Sequence, residues 1–480
     1  MAEVILIHVP IILNRRGEDW LDTLADESSN YPMGLLYIGG YLEQHDIEVK
    51  VLDVTPGHLT LEDILDEIDK EKPSVVGLSS TTSGLRSAVT LSKVIRKEFK
   101  IPVGLGGAHI NTEPDFFNRV PEFDFAVCGE GEKTFYDIVI KIKKGESVKG
   151  LFNGEAIDNL DDIPRPARHL IDFDKYRMPE SRVGNRKPHA TMLGSRGCPF
   201  ECSFCCIPAI GHKVRYRTAK SIVDEMEAIH DSCGGNYNFV DDVLTLNQKQ
   251  VMGICDEIIS RGQEGFYNWY GMTRAEILKE ELISKLYPAG CRQMCFGIES
   301  GSERIRTQVI GKKITNDDIK RAVDLCHKYG IQAYFFLMIG FPTETIEDIQ
   351  ATINIGKETG ADIVGIHMTI PYPGTAIYED AIKTGRIAPD LLDRFATGDA
   401  FGDKAAFHEM WPKYIPDGLT LEDLQDAKRS TYRTHYLRPG WALSRVRLWM
   451  KSSYQFWTDL EQLKLAPAAF LKGRTVNSTS

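Results

Sequence analysis

The chain has no excess of positive charge: 57 lysines and arginines stand against 68 acidic residues, a formal net charge of -11 over 480 residues. That balance argues against a surface that coats nucleic acid. No apolar run approaches the ~20 residues that span a bilayer. The opening MAEVILIHVPIILNRRGEDW has a short apolar stretch but no basic leader and no small-residue cleavage site. It reads as a buried first strand, not a signal peptide. A cytoplasmic protein without a transmembrane segment is expected. Cysteine is too sparse for a disulfide framework, with ten in the chain. Cys128, Cys233, Cys255, Cys291, Cys295 and Cys326 are scattered singly among apolar neighbours, where a buried thiol is the plain expectation. There is no internal repeat and no low-complexity segment beyond the polar end NSTS. No G-x-G-x-x-G follows the first strand, so a dinucleotide site is unsupported.

What is present is a regular alternation of strand and helix signals, with an ordinary globular balance of 42% hydrophobic and 26% charged residues. In residues 1–145, VILIHVP, VKVLDV, VVGLSS, PVGLGGAH and FAVCGEG each feed a helix, at 33–44, 61–70, 85–98 and 132–143 among others. Short β-rich runs ending in Gly/Ser loops describe a doubly wound, Rossmann-like parallel sheet. Ligands on such a sheet sit beyond the carboxyl ends of its strands. The loops there are SSTTSG (79–84), GLGGAH (104–109) and CGEGE (128–132), small enough for backbone to approach a bulky ligand. Residues 146–190, rich in Pro, Asp and Arg, read as a linker. Over 191–385 a second series follows: TMLGSRG, YNFVDD, FYNWYGM, QMCFGIES, QAYFFLMIG and DIVGIHMTI alternate with helices. Six β/α units are too few for a closed eight-fold barrel and predict a partial (β/α)6 barrel. Residues 386–480 turn helical, with THYLRPGWALSRVRLWM near the end.

The densest chemical signal is GSRGCPFECSFCCIP (194–208). Cys198, Cys202 and Cys205 have the spacing C-x3-C-x2-C in a Gly- and Pro-bearing loop after a predicted strand, so one loop can wrap three thiolates around one centre. Zinc remains open, but a structural zinc normally takes four ligands and no partner follows at zinc-finger spacing. Three thiolates on a four-iron cubane leave one iron without a protein ligand, free to bind a substrate or cofactor. Cys206 adjoins the third ligand and is read as structural.

This motif, with Phe204 before the last cysteine, resembles the radical S-adenosylmethionine (SAM) superfamily, and the partial barrel agrees. The resemblance implies a 4Fe-4S cluster whose open iron chelates SAM, and whose electron cleaves it to a 5′-deoxyadenosyl radical. It also implies SAM-holding strand ends in order after the cysteines. Asp241 and Asp242 stand where many relatives carry a Gly-Gly-Glu run; a helix N-cap is the alternative. Arg274 is a partner for the SAM carboxylate, or else a surface arginine. Glu299 would hold ribose hydroxyls or the amino group. Gly340 and Pro342 form a turn under the adenine, and TIPYPGT (369–375) a similar one.

The first domain resembles the cobalamin-binding domain that precedes the barrel in cobalamin-dependent (class B) radical SAM enzymes. That implies cofactor-binding roles for Ser79, Ser80, Gly106, Gly107, His109, Gly129 and Glu130. One departure stands out. Many cobalamin domains carry D-x-H-x-x-G, whose His ligates cobalt; the stretch matched to it here, Asp53-Val54-Thr55-Pro56-Gly57-His58, has no His two residues after Asp53. The lower cobalt face is then expected to be unligated or water-bound. His58 and His109 are candidates to approach the corrin, with a surface-loop histidine the simpler reading for each. The two cofactors together imply C-methylation at an unactivated sp3 carbon, with no protein side chain assigned as catalytic. Oxidative cyclisation or hydroxylation in tetrapyrrole or lipid metabolism is the alternative. A non-catalytic Fe–S or corrinoid sensor is the alternative of another class. The methylthiolating relatives that act on tRNA carry three further N-terminal cysteines, whereas Cys128 is the only cysteine before 198. The expected partners are a small, apolar substrate and an external electron donor of the flavodoxin or ferredoxin type, with no nucleic acid. The aromatic-basic C-terminal stretch would cap the barrel or touch a membrane surface.

Overall fold

The computed structural model describes residues 1–17, 31–176, 188–206, 211–398, 411–451 and 456. The chain divides into two compact units. The first comprises 1–177, 195–217 and 370–412, and the second 178–194, 218–369 and 413–480.

In the first unit, β1 (Val4–His8), β2 (Val49–Asp53), β3 (Val75–Ser79), β4 (Val103–Gly106), β5 (Phe125–Cys128) and β6 (Gly150–Asn153) form one parallel sheet in the order β2-β1-β3-β4-β5-β6. Val4, Ile5, Leu6 and Ile7 are all at most 1% exposed. A strand apolar at every position suits a parallel sheet covered on both faces. His8 aligns with Asp53 on one side and Ser79 on the other, so the strand ends are level. The chain goes to one side of β1 for β2 and to the other for β3, which makes that end the switch point where a crevice opens. The helices are placed by local signals. Leu61–Glu71 begins at a reciprocal capping box between Thr60 and Asp63, a motif worth about 1 kcal/mol.

The stretch expected as linker behaves differently. Gly150–Asn153 lies inside it, yet pairs in register with β5 as the sixth strand. Its exposure alternates along the strand, which hides an edge strand from a search for apolar runs. The residues that follow are docked. Ala167 N–H donates to Leu36 O at 2.9 Å, and a Cβ at Gly40 would lie 2.5 Å from Arg165 O.

The second unit opens with β7 (Ala190–Met192). A short antiparallel ribbon of the first unit intervenes, β8 (Ser195–Arg196) with β9 (Arg215–Tyr216). Then come β10 (Asn236–Phe239), β11 (Asn268–Thr273), β12 (Cys291–Glu299), β13 (Gln332–Ile339) and β14 (Ile363–Met368), each followed along the chain by a helix. With β7 they form a six-stranded parallel sheet in sequential order, β7 and β14 at its edges. The expected count of six β/α strands holds, and the sheet is open. β14 is not left bare. The hydroxyl of Tyr436, on the helix Leu421–Tyr436, accepts from Val364 N–H at 3.1 Å and donates to Val364 O at 2.9 Å. The first C-terminal helix thus acts as a cap on the sheet edge, which a free edge strand needs. Pro439–Lys451 is a further helix; most of the chain after it lies outside the described residues.

Candidate functional site

The cysteine loop hangs between β8 and β9. Gly197 has φ +99°, and a Cβ there would meet Lys213 O at 2.6 Å. Only glycine lets the two arms of the loop lie this close. Cys205 N–H donates to Cys202 O at 3.0 Å, a tight turn that places both on one bend. Cys198 is buried, Cys202 and Cys205 half-buried. Among the described residues, no three His, Cys, Asp or Glu side chains already stand arranged as a metal site. The fit to an iron–sulfur cluster is one of donor chemistry: three soft thiols on a single bent loop. At the neighbouring Cys206, burial raises the thiol pKa. The scattered Cys233, Cys255, Cys291, Cys295 and Cys326 are each at most 1% exposed, as expected of structural thiols.

Two arginines flank this loop and both are tied to the turn after β5. Arg196 donates to Glu130 Oε2 at 3.1 Å and to Glu132 Oε1 at 2.6 Å. Arg215 grips both oxygens of Glu130. The Arg196 guanidinium also lies 4.8 Å over the Tyr37 ring. Glu130, expected to face a cofactor, is thus occupied by guanidinium groups. Arg196, Arg215 and Glu132 were not singled out from sequence. The signal was present, since Arg196 sits two residues before Cys198, but pairing across more than sixty residues is invisible to local pattern.

The other first-unit candidates gather at the carboxyl ends of β3, β4 and β5. Gly107 has φ +98°, and a Cβ there would lie 2.7 Å from both Ser80 N and Ser80 O and 2.9 Å from Ser79 Oγ. Ser80 N–H donates to Gly106 O at 3.1 Å, and Gly129 N–H to Asn111 Oδ1 at 2.6 Å. These small-residue loops pack backbone to backbone at the ends of their strands, which needs glycine at position 107. His109 departs from the surface-loop reading. It is 1% exposed, with Nδ1 3.0 Å from Thr82 Oγ1 and its ring edge-on to Phe116. Burial lowers its pKa to about 3, so it is neutral. His58 stays exposed, in a left-handed turn with φ 50°. Asp53 is engaged by His8 Nδ1 at 2.9 Å and by the Tyr176 hydroxyl.

In the second unit, the paired aspartates divide. Asp241 accepts Gly194 N–H at 3.0 Å and is 1% exposed, a structural tie. Asp242 is half-buried, and burial raises its carboxyl pKa. A cationic amine beside it would lower it again. Arg274 is buried, not a surface arginine, and its Nε donates to Glu276 at 2.6 Å. Glu299 has φ +66° at a register shift between β12 and β13, and pairs with buried Lys312 at 2.8 Å. At the end of β13, Gly340 and Phe341 both donate backbone N–H to Glu344 Oε2, at 2.5 and 3.1 Å. The turn is therefore held from within by Glu344, a residue the sequence analysis did not name. Tyr334 and Phe336 pack partly buried against Tyr270 and Cys295, an aromatic face shared by three strands.

Residues 24–139 match the B12 binding domain and residues 192–355 the radical SAM superfamily. The chain is 32% identical to an uncharacterized methyltransferase of Pyrococcus horikoshii, over 85% of this chain and 88% of that one. It is 25% identical to the anaerobic magnesium-protoporphyrin IX monomethyl ester cyclase of Rubrivivax gelatinosus, over 93% and 80%. The fold resembles that of TsrM, a radical S-adenosylmethionine methyltransferase of Kitasatospora setae, solved with cobalamin and a [4Fe-4S] cluster. The TM-score is 0.64 and the identity 20%, over 89% of this chain and 91% of that one.

Proposed function

Because this chain belongs to the family that joins a B12-binding domain to a radical SAM domain, we propose that it methylates an unactivated sp3 carbon of a small, apolar substrate. The observation that carries this reading is the occurrence in one chain of both family matches, of glycine-rich loops at the strand ends of the first sheet, and of a loop bearing three thiols at C-x3-C-x2-C spacing. Cys198, Cys202 and Cys205 would hold the cluster. Asp242 would accept the ammonium of SAM, with Arg274, Glu299 and the Gly340–Pro342 turn beside it. Ser79, Ser80, Gly106, Gly107 and Gly129 would cradle the corrin. When bound, the cluster supplies the electron that cleaves SAM, and the corrinoid carries the methyl group.

The protein's own part is to orient and to exclude water. Tyr270, Cys295, Tyr334 and Phe336 pack into one largely apolar cluster across three strands, which suits an apolar substrate. An external one-electron donor of the flavodoxin or ferredoxin type completes the scheme. A second reading is oxidative ring closure. It is favoured by the match to the anaerobic cyclase, which extends over 93% of this chain.

Anaerobic reconstitution with iron, sulfide, cobalamin and SAM, followed by mass spectrometry, separates the readings. Formation of 5′-deoxyadenosine together with S-adenosylhomocysteine supports methyl transfer. 5′-Deoxyadenosine without S-adenosylhomocysteine supports the cyclase. Neither product from a protein with an intact cluster rules out both and leaves a sensor.

A further inference from the structure

The four-residue clasp of Glu130, Glu132, Arg196 and Arg215 has no counterpart in the chemistry just proposed, and it is costly to build. The side chains are 11%, 4%, 16% and 11% exposed. Two glutamates and two arginines make it formally neutral. Glu130 lies on the turn after β5 with Gly129, and Glu132 opens the helix Glu132–Lys143 that follows, both at the carboxyl end of the sheet. Both arginines lie on the β8–β9 ribbon, as the pair that closes it on the side of the cysteine loop. A ribbon this short, two residues per strand, cannot fix its own register. Glu130 does so for it by taking Arg196 from one strand and Arg215 from the other, partners that also face each other in the ribbon.

We infer that Glu130 is a positioning residue for the cluster: it sets the geometry of the cysteine loop from the corrinoid-binding turn and, together with Glu132, cancels the two guanidinium charges that flank that loop, holding the cluster's reduction potential down. This rests on the cluster-binding reading above. The physical basis is electrostatic. An uncompensated cation near an iron–sulfur centre favours the reduced, more negative state, and in a poorly solvated site the effect is weakly screened. A carboxylate paired to that cation removes the effect.

The test is a dithionite titration of the anaerobically reconstituted full chain, followed by electron paramagnetic resonance, for the wild type, Glu130→Gln and Glu130→Asp. Wild-type protein that takes up no iron–sulfur cluster would defeat the functional reading itself. If the wild type loads, Glu130→Gln is expected to keep its iron content and shift the potential positively. A shift of about 59 mV corresponds to about a tenfold change in the reduction equilibrium. Glu130→Asp, which keeps the charge, should return most of the way. If Glu130→Gln does not fold, Glu132→Gln decides, because it removes one charge from Arg196 and leaves the Glu130 contacts in place; it too should shift the potential positively. An unchanged or more negative potential in the variant that loads overturns the inference. So does a positive shift that Glu130→Asp reproduces in full.

Discussion

Lys312 donates its ammonium to Glu299 Oε1 at 2.8 Å, with the two side chains 7% and 9% exposed. The same ammonium donates to Gly297 O at 2.7 Å. It thus pins a carboxylate that stands at the end of β12 in left-handed backbone. Lys312→Met should destabilise the fold by about 3–5 kcal/mol, because it leaves a buried charge uncompensated. Adding Glu299→Leu should recover much of that loss. Urea unfolding of the cofactor-free chain reads both; a double variant no more stable than the single would contradict the account.

Glu344 predicts a pH dependence. Burial pushes its carboxyl up to about 7, with Asp348 adding to the rise, while the Gly340 and Phe341 amides and Arg304 oppose it. A pKa raised on folding means the folded state holds the proton more tightly. The stabilisation is complete below about pH 4.5 and fades as pH rises through about 7. The stability of the wild type relative to Glu344→Gln should therefore fall between pH 5 and pH 8, by about 3 kcal/mol at most. Urea midpoints measured across that range check it, and a flat difference would refute it.

Gly107 predicts a local failure. Its φ of +98° and the 2.7 Å approach to Ser80 leave no room for a side chain. Gly107→Ala must move the Ser79–Ser80 loop or strain the backbone by about 1–3 kcal/mol. Hydroxocobalamin titrated into the protein, followed by its visible spectrum, should bind at least about tenfold more weakly. Unchanged affinity would remove this loop from the corrin cradle.

The cysteines separate by spacing. Alanine at Cys198, Cys202 or Cys205 should each abolish cluster retention, measured as iron and sulfide after anaerobic reconstitution. Cys206→Ala should retain it, because the other three already supply the C-x3-C-x2-C ligand set. Equal loss from all four positions would reassign the ligand set.

Both parallel sheets were legible because their strands are short apolar runs closed by Gly or Ser and separated by amphipathic helices. The spacing of Cys198, Cys202 and Cys205 was legible because three ligands within one loop are a local property. β6 was missed because its alternating exposure gives Gly150–Asn153 no apolar run. His109 was read as exposed because a Gly-rich loop looks solvated in sequence. It is instead buried against Phe116 and Thr82.

By itself the sequence determined the kind of chemistry: soft thiols at cluster spacing, followed by a series of β/α units, preceded by glycine loops at strand ends. These depend on spacing along the chain. Tertiary structure decided which charged groups remain available. Asp241 is tied to the Gly194 amide, Glu130 to two arginines and Glu299 to Lys312, while burial raises the carboxyl pKa of Asp242. The reason is physical. A carboxylate's pKa and its freedom to bind depend on burial and on partners tens of residues away, and those are fixed only when the chain folds.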